Sequence, residues 1–394
     1  MFVVRTTTLL IVEPERKIVS PRSNWVDRQL NRVCVQLELT ATQYKDAEQK
    51  YRAVGGWLSD IGSPLAIYEP EIYPQGSMLL GTTVRPQGRI EYDLDLVCQL
   101  HWCANQPPMT IYDWVHDRIA GHETYAAMLE KLKRCVRLNY AGDFHMDILP
   151  ACPNDQIGNG SIVVPDCKLV CWMHTNPKGF AAWFFEQCRR QESDERRVML
   201  KDSVAPIPSP VPSEFKYSLQ RIVQLMKRHR DLYFHGGRDI ARSVILTTLG
   251  GMFYRGERSL STALDGVLDG ISAALAIHTQ VPRIENPVHP SENFADTWDQ
   301  EKYEKFKAYI GNFRRGLKSV LYPSAQDEQR GLEKSAGPLS ELFGETEVKE
   351  AIRIEASEMN RNRNQGKLSV GATGLIGTVR SGAASIPPNN FFGR

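Results

Sequence analysis

Long apolar runs are missing from this 394-residue sequence. No stretch of about 18 consecutive apolar residues occurs, so no membrane-spanning helix is expected. The start makes a poor signal peptide: MFVVRTTTLLIV passes directly into EPERK, with one Arg, a short interrupted apolar stretch and no small-residue cleavage site. No excess charge of one sign is present. The 48 Lys and Arg against 46 Asp and Glu leave a formal +2 and a pI near 8.1, too balanced for a nucleic-acid coat protein or a polybasic membrane binder. With 29 Gly and 23 Pro, 42% hydrophobic and 24% charged residues, collagen-like, mucin-like and wholly disordered classes are excluded. No repeat of 20–50 residues is visible. The eight cysteines are scattered and have no secretory context, so they read as reduced thiols in a cytoplasmic protein.

What is present is a change of texture along the chain. Residues 1–23 read as a flexible leader with Pro14 and Pro21. Helical periodicity covers Trp25–Leu37, and a second helix starts after Thr40, an N-cap, and runs towards Gly55-Gly56. Strand-like stretches follow at Leu65–Ile72, Tyr92–Leu100, Arg137–Leu149 and Ile162–Trp172, separated by helical patterns at Ile111–Ile119 and Glu123–Cys135. Interleaved strands and helices predict an α/β or α+β lobe over roughly residues 60–175. Beyond Asn176-Pro177 the chain turns helical, with Phe180–Lys201 as one long candidate and APIPSPVPSEF (205–215) as a linker. Helices are then expected near 219–230, 240–253, 261–277, 299–321 and 339–354, and the Gly/Ser/Asn-rich stretch from Asn360 onward is expected to be disordered. The resulting division is a leader at 1–23, a strand-and-helix lobe with N-terminal helices at 24–204, a helical lobe at 205–335, and a C-terminal helix with tail at 336–394.

The chemistry concentrates in PQGSMLLGTTVRPQGRIEYDLDLVCQL, residues 74–100. Gly76-Ser77 sits at a strand-to-helix turn, where Gly lets backbone approach a phosphate and Ser adds a hydroxyl donor. Asp93 and Asp95 are i and i+2 of a strand, so their carboxylates share a face while Leu94 and Leu96 enter the core. Two adjacent anions favour a hard divalent cation between them. A solvent-facing strand edge is the plain alternative. Glu91 and Asp93 form a second same-face pair, but the apolar Leu96-Val97 makes Asp93/Asp95 the better buried strand. Asp147, in FHMDILPA, is a lone carboxylate in an apolar strand 52 positions after Asp95, costly unless paired or metal-bound.

Taken together, QGSMLLGT, EYDLDLV, FHMDILPA, LQRIVQLMKRHRDLYF, RSVILTTL and NPVHPSENFADTW are similar to the polymerase-beta-like nucleotidyltransferase superfamily. More narrowly, the chain resembles the bacterial cGAS/DncV-like nucleotidyltransferases of anti-phage signalling systems over residues 75–298. The resemblance implies a bilobal α+β fold with NTPs, ATP or GTP, in the cleft between a nucleotidyltransferase core and a helical lobe. It implies two Mg²⁺ ions, replaceable by Mn²⁺, held by Asp93, Asp95 and Asp147 as the catalytic and metal-binding residues. Gly76 and Ser77 would cradle the triphosphate, and Lys227 and Ser243 stand where relatives contact donor phosphates. For Lys227 a solvated helix residue is an equal alternative. The implied product is a cyclic di- or trinucleotide second messenger that switches on a separate effector. A ubiquitin-transfer-like accessory protein at the C-terminus is a further implied partner, although the tail ends in Arg394 rather than Gly. Alternatives are a linear oligonucleotide synthase or nucleotide-adding transferase, and a non-catalytic nucleotide- or RNA-binding module.

Weaker signals favour plain explanations. Cys167 and Cys171, with His174 and Cys188 nearby, read as buried thiols on a strand rather than a zinc site. The basic pairs Arg189-Arg190 and Arg196-Arg197 alternate with acids and read as solvated helix surface; a nucleic-acid groove is the less favoured reading of these and of Lys227–Arg230. Trp25, Trp57, Trp183 and Trp298 read as core. Asn286-Pro287 and Asn293 read as a loop and cap close to the cleft.

Overall fold

Thr40 accepts a hydrogen bond from the Gln43 backbone N–H while the Gln43 side chain reaches back to Thr40, a reciprocal cap that starts the second helix as expected. The computed structural model describes residues 21–86, 92–103, 105–140, 144–191, 211–237, 240–323, 336–370, 376–378 and 384–385. The first helix, α1, spans Pro21–Gln36 and the second, α2, spans Ala41–Ser59, continuing past Gly55-Gly56. Glu91, Arg196-Arg197, nearly all of the leader and most of the linker lie outside the described residues.

Seven strands follow: β1 (Glu71–Pro74), β2 (Tyr92–Gln99), β3 (Leu129–Lys131), β4 (Val136–Tyr140), β5 (Phe144–Pro153), β6 (Ile162–Asp166) and β7 (Cys171–Thr175). They form one mixed sheet in the order β1-β2-β5-β4-β3, with β6 joined to the far end of β5 and β7 to β6. Among the described strands only β2 and β5 run parallel, because a crossover containing α4 (Pro108–Ala120) returns the chain to the same sheet. On one face Leu94, Leu96, Met146 and Ile148 pack against Val54 and Leu58 of α2 and Ile111 and Val115 of α4. The opposite face carries Asp93, Asp95, His145 and Asp147, and beyond them a small apolar group that includes Val97 and Ala151.

Five expectations are corrected in this lobe. Leu65–Ile72 is not one strand, since Ala66–Tyr68 is a single 3-10 turn and β1 starts only at Glu71. Arg137–Leu149 is a hairpin of two strands, β4 and β5, not one stretch. The expected helix at Glu123–Cys135 shrinks to one turn, α5 (Glu123–Ala126), and then becomes β3, because Leu129 and Lys131 pair with Leu138 and Val136. Ile162–Trp172 is also a hairpin: residues 167–170 turn, with Val170 at φ 49°, so Cys167 and Cys171 do not share a strand and are only half-buried. The cysteines are not all free. Leu100 N–H donates to Ala151 O, which lays the chain after β2 beside the end of β5, and Cys103 and Cys152 form a disulfide there with Cα atoms 6.1 Å apart.

The helical part comprises α6 (Pro177–Cys188), α7 (Ser218–Tyr233), α8 (Ser243–Phe253), α9 (Leu260–Ile277) and α10 (Gln300–Leu321), together with helices Ala336–Phe343 and Glu345–Asn364. Gly344, at φ 103°, divides the single amphipathic stretch expected at 339–354 into these two helices. The apolar side of α1 joins this second core, and Arg28 and Arg32 pair with Glu355 and Glu358 on Glu345–Asn364. Helix α9 is long and apolar enough to cross a membrane by length and composition alone. Half of it is buried here, and its Asp265 and Asp269 pair with Arg314 and Lys318 of α10, so it serves as a core helix. Past Asn360 the chain is more ordered than expected: the helix continues to Asn364, and Leu368–Val370 pairs with Ile376–Thr378 and Ala384–Ser385.

Candidate active site

The turn that opens the site is built around one glycine. Strand β1 ends at Pro74, the Gln75 N–H donates to Asp95 O at 2.9 Å, and Gly76 then adopts φ +61°. A side chain here would be strained by that φ, and a Cβ would overlap the Asp95 carboxylate. The short helix α3 (Gly76–Leu80) follows and stops at Gly81, also at positive φ. Ser77 Oγ accepts from Thr83 Oγ1 at 3.1 Å.

Strand register brings the carboxylates together. Asp95 lies directly opposite Asp147 across the parallel β2/β5 pair, and Asp93 lies opposite His145. Neighbouring strands are about 4.8 Å apart, so same-face side chains at paired positions are immediate neighbours. Burial, with the Asp147 and Asp93 charges beside it, pushes the Asp95 carboxyl up to about 8, against the opposing pull of Lys227 and Arg137. On the other side of β5, Arg137 is register partner of Asp147 and grips it with two hydrogen bonds, Nε to Oδ1 at 2.6 Å and Nη2 to Oδ2 at 2.8 Å. That hydrogen-bonded grip raises the Arg137 pKa above its ordinary value. Among the described residues, no three His, Cys, Asp or Glu groups stand close enough together to hold a metal ion as they are placed here.

The helical lobe supplies the facing wall. Lys227, on α7, is 4% exposed and donates to Thr82 O at 3.0 Å and Thr82 Oγ1 at 3.2 Å. It is not a solvated helix residue. Ser243, at the start of α8, accepts from Arg230 Nη1 at 2.9 Å. A two-stranded hairpin, β8 (Glu285–Asn286) and β9 (His289–Asn293), packs on β7 and adds Asn286 and Glu292. Together these surfaces enclose a cleft of about 730 Å³.

All seven residues singled out from sequence, Gly76, Ser77, Asp93, Asp95, Asp147, Lys227 and Ser243, line this one cleft. Sequence reasoning did not single out Arg137, His145, Thr175 or Glu292, which line it too. Arg137 was concealed by reading β4 and β5 as one stretch, although Gly142-Asp143 between them carried a turn signal. Asn286 Oδ1 accepts from the Val288 N–H and Asn293 Oδ1 from the Ile284 and Ala295 N–H groups, so both act as turn residues. The Lys227–Arg230 run is interior: Arg228 and Arg230 are at most 2% exposed and donate to the carbonyls of Arg85 and Ala241. That placement removes it as a nucleic-acid surface. Cys188 lies in the helical core and His174 bonds Asn154, both apart from Cys167 and Cys171.

Comparison with known proteins gives a consistent result. The family described as "Second Messenger Oligonucleotide or Dinucleotide Synthetase domain" matches residues 25–187. The chain is similar to a c-di-GMP synthase of Roseivirga ehrenbergii, 34% identical over 388 residues, which cover 95% of this chain and 99% of the relative. Its fold is similar to that of CdnG from Bradyrhizobium diazoefficiens in complex with GTP, at 23% identity and TM-score 0.66 over 85% of this chain and 98% of the other. It is also similar to CdnC from E. coli MS115-1 with ATP, at 14% identity and TM-score 0.58 over 81% and 97%.

Proposed function

Since the chain belongs to the cGAS/DncV-like nucleotidyltransferases, we propose that this cleft is where it joins NTPs, releasing pyrophosphate, into a cyclic oligonucleotide second messenger, with Asp93, Asp95 and Asp147 as the catalytic carboxylates. The observation that carries the assignment is the register: Asp95 faces Asp147 across two parallel strands, with Asp93 on the same face and Gly76 against Asp95. GTP is the favoured substrate, in keeping with the c-di-GMP named for the Roseivirga relative.

In each transfer a ribose hydroxyl oxygen attacks the α-phosphorus, the α–β bridging P–O bond breaks, pyrophosphate leaves in line, and the hydroxyl proton goes to solvent. The three carboxylates are hard oxygen donors on one face, which suits Mg²⁺, or Mn²⁺ in its place. Asp93 and Asp95 would hold one ion at the triphosphate, and both with Asp147 the second. Bound divalent ions would lower the pKa of the attacking hydroxyl and neutralise phosphate charge.

The chain's own residues supply position. Gly76 leaves room for the Asp95 carboxylate, and the Ser77 hydroxyl lines the cleft where it would meet a phosphate. Lys227, fixed on Thr82, places a positive charge at the cleft wall, and Ser243, steadied by Arg230, offers a hydroxyl. Arg137 holds the Asp147 carboxylate in one orientation and offsets its charge. Orientation of this kind supplies much of the rate acceleration in phosphoryl transfer. Downstream, the product would activate a separate effector. An accessory protein would dock at the C-terminus; one relative, CdnC of E. coli MS115-1, is itself seen in a complex with HORMA-deltaN.

The test is incubation with labelled NTPs and Mg²⁺ or Mn²⁺, phosphatase treatment and mass analysis. A phosphatase-resistant cyclic product that disappears in Asp93→Asn is expected. A linear product with a free terminal phosphate would make the chain a linear synthase, and full turnover by Asp93→Asn would remove the carboxylate assignment.

A further inference from the structure

Glu292 is out of place in a cleft meant for polyphosphate. It lines the cleft from β9, and among the described residues no Lys, Arg or His forms an ion pair with it. Its Oε2 accepts from Thr175 Oγ1 at 3.1 Å and from Asn286 Nδ2 at 2.8 Å. Asn286 is 2% exposed, and its Oδ1 is already engaged by the Val288 N–H, so its amide keeps the NH₂ turned to Glu292. The carboxylate is therefore held from β7 and from the β8–β9 turn, with Oε1 uncommitted to any described side chain. A carboxylate has about four lone-pair sites. Two are used here, and no described side chain takes the others.

A fixed negative charge repels phosphates, so Glu292 must face another part of the nucleotide. Its neighbours identify which. Pro177, Phe180 and Phe294 line the same cleft, the two rings edge-to-face at 5.9 Å. An apolar wall beside a rigid acceptor is the environment of a nucleobase read along its hydrogen-bonding edge. Of the four bases only guanine presents two adjacent donors on that edge, N1–H and N2–H₂, the complement of a carboxylate. Adenine and cytosine each set an acceptor nitrogen beside their amino group, and uracil flanks its one N–H with two carbonyls.

We propose that Glu292, positioned by Thr175 and Asn286, reads the guanine of a bound GTP and sets the selectivity of the cleft for GTP over ATP. This rests on the reading of the cleft as the nucleotide site. A charge-assisted pair whose loss strands buried groups changes discrimination by roughly 10–100-fold.

The test uses the full chain. Wild type, Glu292→Gln and Thr175→Val are compared for kcat/KM with GTP and with ATP in Mg²⁺ and Mn²⁺, and for GTP and ATP binding by calorimetry. Wild type is expected to favour GTP. Glu292→Gln should lose roughly 10–100-fold with GTP and much less with ATP, since its amide offers adenine one donor and one acceptor. Thr175→Val should move the ratio part of the way with the melting temperature little changed. An unchanged GTP/ATP ratio in Glu292→Gln, or a parallel fall for both nucleotides, would overturn the proposal. If wild type forms no product but binds GTP over ATP, and Glu292→Gln removes that preference, guanine reading stands while the catalytic reading falls.

Discussion

Gly76 and Asp95 are fitted so closely that a single methyl group on Gly76 would occupy the space of the Asp95 carboxylate, while the preceding residue, Gln75, bonds the Asp95 backbone carbonyl at 2.9 Å. The Gly76 turn and strand β2 are thereby one unit. Gly76→Ala must accept a left-handed backbone, about 1–2 kcal/mol, and also displace Asp95. We expect a modest fall in melting temperature and a loss of turnover of about 100-fold or more, measured as pyrophosphate release, because misplacement of about 1 Å alone costs such factors. Retention of turnover would show that Asp95 need not stay where it is.

Arg137 uses both of its paired nitrogens on both Asp147 oxygens, so it orients the carboxylate and also competes with any cation for it. Arg137→Gln should lower kcat by roughly 10-fold or more through lost orientation, and lower the Mg²⁺ concentration for half-maximal rate through lost competition. A titration of rate against Mg²⁺ separates the two effects. A variant with unchanged kcat and unchanged Mg²⁺ dependence would make the pair an incidental ion pair.

Both residues show how far the sequence can be read. The i, i+2 spacing of Asp93 and Asp95 between buried Leu94 and Leu96 follows from strand geometry alone. The pairing of Asp95 with Asp147 does not, since register over a separation of 52 positions is set by the α4 crossover and the packing beneath it. Arg137 could be placed only once β4 and β5 were known to be a hairpin. Polar residues usually lie at the surface, so for Lys227 a solvated helix position stands level with a phosphate contact in the sequence, and the run Lys227–Arg230 carries no sign of burial. It is interior because backbone carbonyls of Thr82, Arg85 and Ala241 receive its donors, and such partners appear only in the folded chain. Glu292 carried no signal in an Asn/Pro-rich loop. Its meaning comes from Thr175, 117 positions away.

His229 gives a pH prediction. It is 2% exposed, stacks on Phe313 at 4.1 Å, donates from Nδ1 to Leu342 O, and burial holds its pKa down at about 4. The unfolded chain protonates this ring below about 6.5 whereas the folded chain does not until about 4, so the unfolded state binds more protons throughout that window. Stability therefore falls as pH drops from about 6.5 to 4, by about 3 kcal/mol from this residue. His229→Phe keeps the stacking but leaves the Leu342 carbonyl unpaired, at a pH-independent cost of about 1 kcal/mol. Urea unfolding at pH 7.5 and 5.0 should show the variant weaker at the higher pH and at least equal to wild type at the lower. Parallel pH dependences would mean that His229 is not neutral in the folded chain.

Lys227 has two roles to distinguish. Its ammonium holds Thr82 and so ties α7 to the segment after α3, and it also lowers the cost of charging Asp95. If it acts only as a tie, Lys227→Met lowers the melting temperature and affects rate in proportion to unfolding. If its charge also draws in the triphosphate, the variant raises KM for the NTP by about 10-fold with a smaller change in kcat, the pattern of lost binding common to ground and transition states. Lys227→Arg keeps the charge but not the fit to Thr82, so it should recover KM better than melting temperature. We expect that split, because Lys227 is buried yet lines the cleft beside Asp95 rather than lying within the helical core. Equal recovery of both quantities, or a KM unmoved by Lys227→Met, would leave Lys227 as a structural tie alone.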